Sequence, residues 1–142
     1  MKKIIAILIF FISFSSFSQK VRVKKGNVTV DDVVWITCDE PAPYTFSLLD
    51  KNQEEIIFIK PITVPGGAPR TQSNPNGNFS YYVIKFLGLK KEFELETNYK
   101  DVLKTLYLSK AINEDLTINE EKANRLVEKY GTEFSDRFNG RY

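Results

Sequence analysis

Three glutamates at alternate positions come closest to a catalytic arrangement in this chain. Glu92, Glu94 and Glu96 lie in the stretch KEFELE, and paired carboxylates are the acid and base of most glycoside hydrolases. Because successive side chains of a strand point to opposite faces, Phe93 and Leu95 would face a core while the glutamates face solvent. We therefore expect a charged outer face of a strand, which also resists aggregation.

The absence of histidine is the strongest constraint on chemistry. None of the 142 residues is a histidine, which removes the usual general base, every Ser-His or Cys-His pair and the commonest ligand of transition metals. Carboxylates, lysine or tyrosine could still act, and a carboxylate-dependent hydrolase stays open as the less favoured alternative. We expect a protein that is not an enzyme and uses no cofactor and no metal.

The segment Asn113–Glu121 has oxygen-bearing side chains at alternate positions, as a calcium-binding loop does. The EF-hand requires glycine at its sixth position and glutamate at its twelfth. Counting from Asn113 places Ile118 and Asn124 there, and counting from Asp115 fails in the same way. Helix capping explains these residues better than calcium binding.

The long irregular segment Pro65–Asn78 is a candidate binding loop. Its sequence, PGGAPRTQSNPNGN, is too rich in proline and glycine for regular structure. Arg70, Gln72 and Asn74 could hydrogen-bond a sugar or a peptide. A disordered or merely connecting loop is the alternative, and we prefer it.

Aromatic side chains on the predicted strands are a second candidate, with Tyr81 and Tyr82 at its centre. On an exposed sheet face they could stack on sugar rings or anchor a protein partner. Filling the core is the simpler explanation, since aromatic residues are ordinary strand formers. The set comprises Trp35, Tyr44, Phe46, Phe79, Tyr81, Tyr82 and Phe86.

Cys38 is the only cysteine, so no disulfide can form within the chain. It ends the apolar run VVWITC and is followed by Asp39 and Glu40, whose charges favour the neutral thiol. We expect a buried, unreactive thiol. An intermolecular disulfide or a reactive cysteine remains the alternative.

The N-terminus has the pattern of a cleavable signal peptide. Lys2-Lys3 precedes the apolar stretch Ile4–Phe14, and the small residues Ser16 and Ser18 predict cleavage between Ser18 and Gln19. An uncleaved anchor is less favoured, because spanning a bilayer takes about 20 apolar residues. We expect an exported protein of the periplasm or cell exterior that meets the membrane only through this segment.

The charge balance excludes another class of partner. The chain has 20 Lys+Arg and 18 Asp+Glu, and the predicted signal peptide contains two of these lysines and no acid. The remaining domain is therefore neutral overall, and we expect no nucleic-acid partner.

Hydrophobic periodicity divides residues 19–142 into a strand-rich part, 20–97, and a helical part, 98–138, of a single domain. Alternating runs joined by short turns, the first a hairpin at Gly26-Asn27, predict an antiparallel sheet, with Asp31-Asp32 as either a turn or a bulge. Asn98 is the predicted cap of a first helix. Thr117 with Glu120, or Asn119 alone, caps a second helix that ends at Gly131.

These elements predict an α+β fold: an antiparallel β-meander of about five to six strands followed by two to three C-terminal helices packed on one face. We expect its most favourable role to be a non-catalytic protein-binding or accessory module of the cell envelope. Binding of a small ligand (a glycan, lipid or peptide) is the alternative.

The order of segments resembles that of small exported proteins of unknown function from gliding and gut Gram-negative bacteria. The resemblance rests on VRVKKGNVTVDD, FSLLDKN, YYVIKFLGL and the closing NEEKANRLVEKYGTEFSDRFN. It implies a cell-envelope location and a β-meander followed by C-terminal helices, and it brings no established activity.

Overall fold

The computed structural model describes residues 19–139, so the predicted signal peptide, residues 1–18, lies outside the described residues, and of its predicted cleavage site only Gln19 lies within them. Seven strands are followed by three helices. The strands are β1 (Val21–Lys24), β2 (Asn27–Val30), β3 (Val33–Ala42), β4 (Thr45–Leu49), β5 (Glu55–Val64), β6 (Phe79–Phe86) and β7 (Lys91–Leu95). The helices are α1 (Tyr99–Ser109), α2 (Glu120–Tyr130) and α3 (Glu133–Asn139).

The strands form one antiparallel sheet in the order in which they occur along the chain. This is the predicted α+β meander, with one strand more than the upper estimate. The additional strand arises because Asp31 and Asp32 form a turn, with φ of 51° and 67°, which separates β2 from β3. The first hairpin turns at Lys25-Gly26, one residue earlier than predicted, with both φ values positive, as a primed turn requires.

The front face of the sheet carries the main core and is covered by α1 and α2. Val102, Leu103 and Leu106 of α1 and Ala123 and Leu126 of α2 are buried against it. The buried residues of the front face are Val21, Val28, Val30, Ile36, Cys38, Phe46, Leu48, Ile57, Ile59, Tyr82, Ile84, Phe86 and Phe93.

The back face of the sheet is partly covered by α3, which differs from the predicted packing on one face only. Phe138 of α3 is buried against Tyr81 and Val83 of β6, whose neighbours Tyr82 and Ile84 face the front core. The reason is a reversal of the chain after α2, where Gly131 (φ +59°) ends the helix. The chain then passes beside β7 to the other face.

The helix boundaries follow the predicted capping residues. The Asn98 side chain accepts a hydrogen bond from the Asp101 N–H at 3.0 Å. The Asn119 side chain accepts a hydrogen bond from the Lys122 N–H at 3.1 Å and is therefore the cap of α2. These side chains satisfy N–H groups that the first turn of a helix leaves without partners.

Candidate functional site

The two edges of the sheet differ in what covers them. At β7 the Glu94 N–H donates to the carbonyl of Gly131 at 3.0 Å, so the α2–α3 connection continues the hydrogen bonding beyond the last strand. Phe93 also stacks on Tyr130 with ring centroids 5.7 Å apart. The β7 edge is thus partly occupied by the chain itself.

At the β1 edge the register leaves main-chain groups pointing away from the sheet. Lys24 pairs with Asn27 next to the two-residue turn, and Val23 pairs with Val28. In an antiparallel ladder, hydrogen-bonded and non-hydrogen-bonded pairs alternate, starting with a hydrogen-bonded pair next to such a turn. Lys24 is therefore hydrogen-bonded to β2, whereas Val21 and Val23 belong to non-hydrogen-bonded pairs and direct their N–H and C=O groups away from β2. Between residues 19 and 139 these groups have no further backbone partner. No described strand lies beyond β1, and we call this the open edge of the sheet, although Val21 is only 6% exposed and Val23 is half-buried.

A cleft of about 360 Å³ lies where the open edge meets α1. Lys100 and Lys104 stand one helical turn apart on α1, on the front side of the edge. Lys20 and Arg22 alternate with Val21, and their side chains belong to the back side. We call this the cationic cleft; its lining consists of Gln19, Lys20, Val21, Arg22, Lys100, Asp101 and Lys104.

A second cleft, of about 280 Å³, contains the only tryptophan. The register between β2 and β3 shifts between Val28 and Thr29 and leaves Trp35 as the extra residue of a bulge. The Trp35 ring meets Tyr107 of α1 edge to face, with centroids 5.1 Å apart at 85°. Lys110 places its Nζ 4.7 Å from the centre of the Tyr107 ring. The lining is Trp35, Tyr107, Lys110, Ile112, Asn113, Glu114 and Leu116.

The three alternating glutamates do not share one environment. Glu92 lies 3.7 Å from the Lys85 ammonium in a half-exposed ion pair, and Glu96 is exposed. Glu94 is only 2% exposed, so the prediction that it faces solvent is wrong. Its carboxylate accepts from the N–H groups of Phe134 and Ser135 at 3.0 Å each, and from the Ser135 hydroxyl.

Glu94 therefore binds the start of α3, and this explains its burial. A buried carboxylate is stable only when hydrogen bonds replace its water, and here three donors do so. Since these bonds engage the carboxylate, it is a structural group and not one half of a catalytic pair.

The segment Pro65–Asn78 is an ordered extension of the β5–β6 hairpin. The Ala68 N–H donates to the Gly77 carbonyl at 2.9 Å. The Asn74 side chain donates to the Asn78 carbonyl at 2.9 Å and accepts from the Asn78 N–H at 3.0 Å. Of the predicted binding residues, Asn74 thus holds the loop together, while Arg70 and Gln72 are exposed to solvent.

The two candidate tyrosines lie on opposite faces, and both are buried. Tyr82 is 8% exposed, and burial first, then Tyr44 and Tyr99, raises the pKa of its hydroxyl. Tyr81 is 4% exposed and packs against Phe134 with centroids 5.3 Å apart. Neither ring offers a free stacking surface, and both contrast with Arg70 and Gln72, which are exposed on the loop.

Cys38 is buried at 3% exposure on the front face. Burial is the main cause that raises the pKa of its thiol to about 11, and Asp39 and Glu40 add to the rise. The thiol is therefore neutral and shielded, as predicted, and the part of the chain that the structure describes contains no other cysteine.

The loop between α1 and α2 is held by its own hydrogen bonds. The Asp115 carboxylate accepts from the Thr117 hydroxyl at 2.6 Å and from its N–H at 3.1 Å. These bonds lower the pKa of Asp115, the hydroxyl being the main cause. Residues 19–139 contain no group of three acidic or cysteine side chains placed to hold a metal ion.

Sequence reasoning missed the open edge and both clefts. The cationic cleft joins residues some eighty positions apart, and only the topology brings them together. A local signal existed in the alternation of Lys20 and Arg22 and in the spacing of Lys100 and Lys104, which puts two charges on one side of a helix. No described helix is long and apolar enough to cross a membrane.

Comparison with known proteins found no matching family model, no similar curated protein and no similar solved structure.

Proposed function

We propose that this chain is an exported, non-catalytic module that binds an extended segment of another protein as an additional strand at the β1 edge. The observation that carries the proposal is the difference between the two edges. The β7 edge is hydrogen-bonded to Gly131, whereas Val21 and Val23 direct two N–H and two C=O groups outward.

Strand addition would give the outward-directed N–H and C=O groups of β1 hydrogen-bond partners. Main-chain hydrogen bonds supply the affinity in this mode of recognition, and side chains next to the edge select the partner. Open edges are usually shortened, charged or covered to prevent unwanted pairing. The β1 strand has only four residues with Arg22 and Lys24 on it, so it discourages aggregation while still accepting a matching segment.

The experiment is panning of displayed random linear peptides against the purified protein. An enriched peptide is then synthesised with backbone N-methyl groups at alternate residues, in two registers. Methylation on the edge that pairs with β1 should abolish binding, and methylation on the other edge should leave it unchanged. Hydrogen exchange at the Val21 and Val23 amides should slow on binding, because these two N–H groups become hydrogen-bonded.

A peptide that binds equally well in both methylated registers, without protecting the Val21 and Val23 amides, would overturn strand addition.

Export is the second part of the proposal, and it depends on the signal-like residues 1–18. The intact mass of the protein made in its own cells should correspond to a chain that begins at Gln19, less one ammonia if Gln19 has cyclised to pyroglutamate. A mature protein that retains residues 1–18 would contradict export by cleavage.

A second candidate function, binding of a saccharide, is favoured by the Trp35 cleft. Aromatic rings beside polar groups can stack on a sugar ring and hydrogen-bond its hydroxyls. Trp35 and Tyr107 supply the rings, and Lys110 and Glu114 supply the polar groups. The bulge at Trp35 supports this function, since bulges re-aim side chains near binding sites.

The test of this second function uses the fluorescence of Trp35, the only tryptophan in the chain. Titration with soluble oligosaccharides of glucose and of N-acetylglucosamine should change the emission. Glu114→Gln should weaken that response, while Glu128→Gln, on the exposed side of α2, should not. An emission spectrum that none of these sugars changes would exclude them as ligands of this cleft.

A further inference from the structure

We infer that the segment accepted at the β1 edge is acidic, with carboxylates projecting to both sides of the added strand. This inference rests on the proposed function, because it concerns the partner of the same edge. It follows from the placement of four cations around Val21: Lys20 and Arg22 on the back side, and Lys100 and Lys104 on the front side.

The arrangement matches the alternation of a strand. Side chains of an added strand would point alternately to the front and the back. A carboxylate on the front would approach Lys100 and Lys104 of α1, and its neighbour on the back would approach Lys20 and Arg22. Each side of the added strand therefore meets two cations. A segment with carboxylates on both sides would pair with all four cations, whereas a segment with carboxylates on one side would pair with only two.

Three acids lie in the neighbourhood, Asp31, Asp32 and Asp101, and each has a polar partner; the Asp31 carboxylate accepts from the Lys20 backbone N–H at 2.9 Å. The Asp101 carboxylate accepts from the Thr97 hydroxyl and from the Asn98 side-chain amide at 3.0 Å each, and so serves the start of α1. Asp32 lies 3.7 Å from Arg22 in an exposed ion pair, which contributes little. Lys20, Lys100 and Lys104 form no salt bridge with any described residue.

Gln19 supplies an independent sign of a partner in the cationic cleft. Its side-chain oxygen is buried, yet no described residue donates a hydrogen bond to it. A buried acceptor without a donor costs free energy. Gln19 lines the same cleft, so rotation of its side chain toward the cleft would let an N–H group of an added segment that extends past Val21 donate to this oxygen.

The local charge contrasts with the balance of the whole domain. Outside the predicted signal peptide the basic and acidic residues are equal in number, so the protein as a whole does not attract acidic partners. At this end of the sheet four cations stand against Asp31, Asp32 and Asp101, and the remaining local excess of positive charge favours association with acidic segments, an effect that weakens as salt is added.

The experiment compares three peptides of about eight residues that repeat two threonines followed by two glutamates, two glutamines or two lysines, so that adjacent test side chains point to opposite sides of the strand. The glutamate peptide should bind the purified protein most tightly, and its affinity should fall as sodium chloride is raised. The double variant Lys100→Gln/Lys104→Gln should weaken its binding about tenfold. The matched double variant Lys90→Gln/Lys129→Gln, which removes two exposed lysines near β7, should leave binding unchanged.

The outcomes separate this inference from the proposed function. If the glutamine and glutamate peptides bind equally and both protect the Val21 and Val23 amides, strand addition stands and the acidic partner is overturned. If the glutamate peptide binds without protecting those amides, strand addition at β1 fails, although the cationic cleft binds acids. If both double variants weaken binding equally, the effect is one of overall charge, and the assignment to the cleft is wrong.

Discussion

Glu94 on β7 and Ser135 on α3 are joined across the back of the sheet: the Glu94 carboxylate accepts a hydrogen bond from the Ser135 N–H at 3.0 Å and another from its hydroxyl. This pair fixes the last helix to the face opposite the main core. The apolar cluster beneath α3 is small, with Tyr81, Val83 and Phe138 as its buried members. The attachment of α3 therefore depends strongly on one carboxylate.

Glu94→Ala should lower the free energy of unfolding by about 2 kcal/mol, because it removes a charged acceptor and leaves the partly buried N–H donors of Phe134 and Ser135 unpaired. Glu96→Ala, at an exposed neighbouring position, should change it by less than about 0.5 kcal/mol. Urea unfolding measures both values. Hydrogen exchange at the Phe134 and Ser135 amides should quicken in Glu94→Ala alone, and unchanged exchange there would contradict the assigned role.

Ser47 on β4 is fully buried, and its hydroxyl has no hydrogen-bond partner among the described residues. Replacing it with alanine removes the cost of an unsatisfied polar group and leaves almost the same volume. Ser47→Ala should raise the free energy of unfolding by up to about 1 kcal/mol. Ser135→Ala is the contrasting variant, since it loses a hydrogen bond to Glu94 and should be less stable than the wild type. A loss of stability in Ser47→Ala would mean that this hydroxyl is satisfied.

Cys38 should make stability dependent on pH in the alkaline range. Folding raises the pKa of the thiol from 9.0 to about 11, so the folded protein keeps a proton that the unfolded chain releases. The contribution of Cys38 to stability is full below about pH 9 and is lost as the pH rises from about 9 to about 11. Denaturant unfolding across this range measures it, and Cys38→Ala should remove this component of the slope.

The same burial predicts that Cys38 reacts slowly with a thiol reagent such as Ellman's reagent at about pH 8 in the folded protein and rapidly in urea. Fast labelling without denaturant would show that the thiol is reachable.

Gly77 and Gly66 form a matched pair of glycines in the loop between β5 and β6. Both have positive φ, of 61° and 72°, so alanine at either position costs about 1–2 kcal/mol of backbone strain. At Gly77 a Cβ would also lie 2.5 Å from the Ala68 carbonyl oxygen, whereas at Gly66 it would meet nothing within 4 Å. The melting temperature of Gly77→Ala should therefore lie well below that of Gly66→Ala. Equal melting temperatures would contradict the assignment of an ordered loop.

Local chemistry made part of the fold predictable. The helix boundaries followed from the sequence because they depend on single residues. The side chains of Asn98 and Asn119 cap the helix starts, and the positive φ of Gly131 ends α2. The alternating strands likewise predicted the meander. Their number was uncertain because Asp31-Asp32 could form either a turn or a bulge, and non-glycine residues adopt positive φ too rarely for the pattern to decide.

The parts that could not be predicted depend on contacts between distant segments. Glu94 alternates with apolar neighbours as an exposed residue would, and only α3, about forty residues later, covers it. The cationic cleft depends on the same kind of information, because Lys20 and Lys104 become neighbours through the packing of α1 against β1. Periodicity reports the face of a strand but not what will cover that face.

The sequential strand order has a consequence for how the molecule forms. Each strand pairs with the strand made just before it, so every strand connection except the β5–β6 loop is short, and folding is expected to be fast for a β-rich chain. The layer that covers the front face comes late in the chain, since α1 and α2 begin at Tyr99 and Glu120. A ribosome-bound or truncated chain that ends before Tyr99 would have a paired sheet with an apolar surface open to chaperones. The helices of the final third of the chain thus bury the apolar surface that the sheet alone would expose.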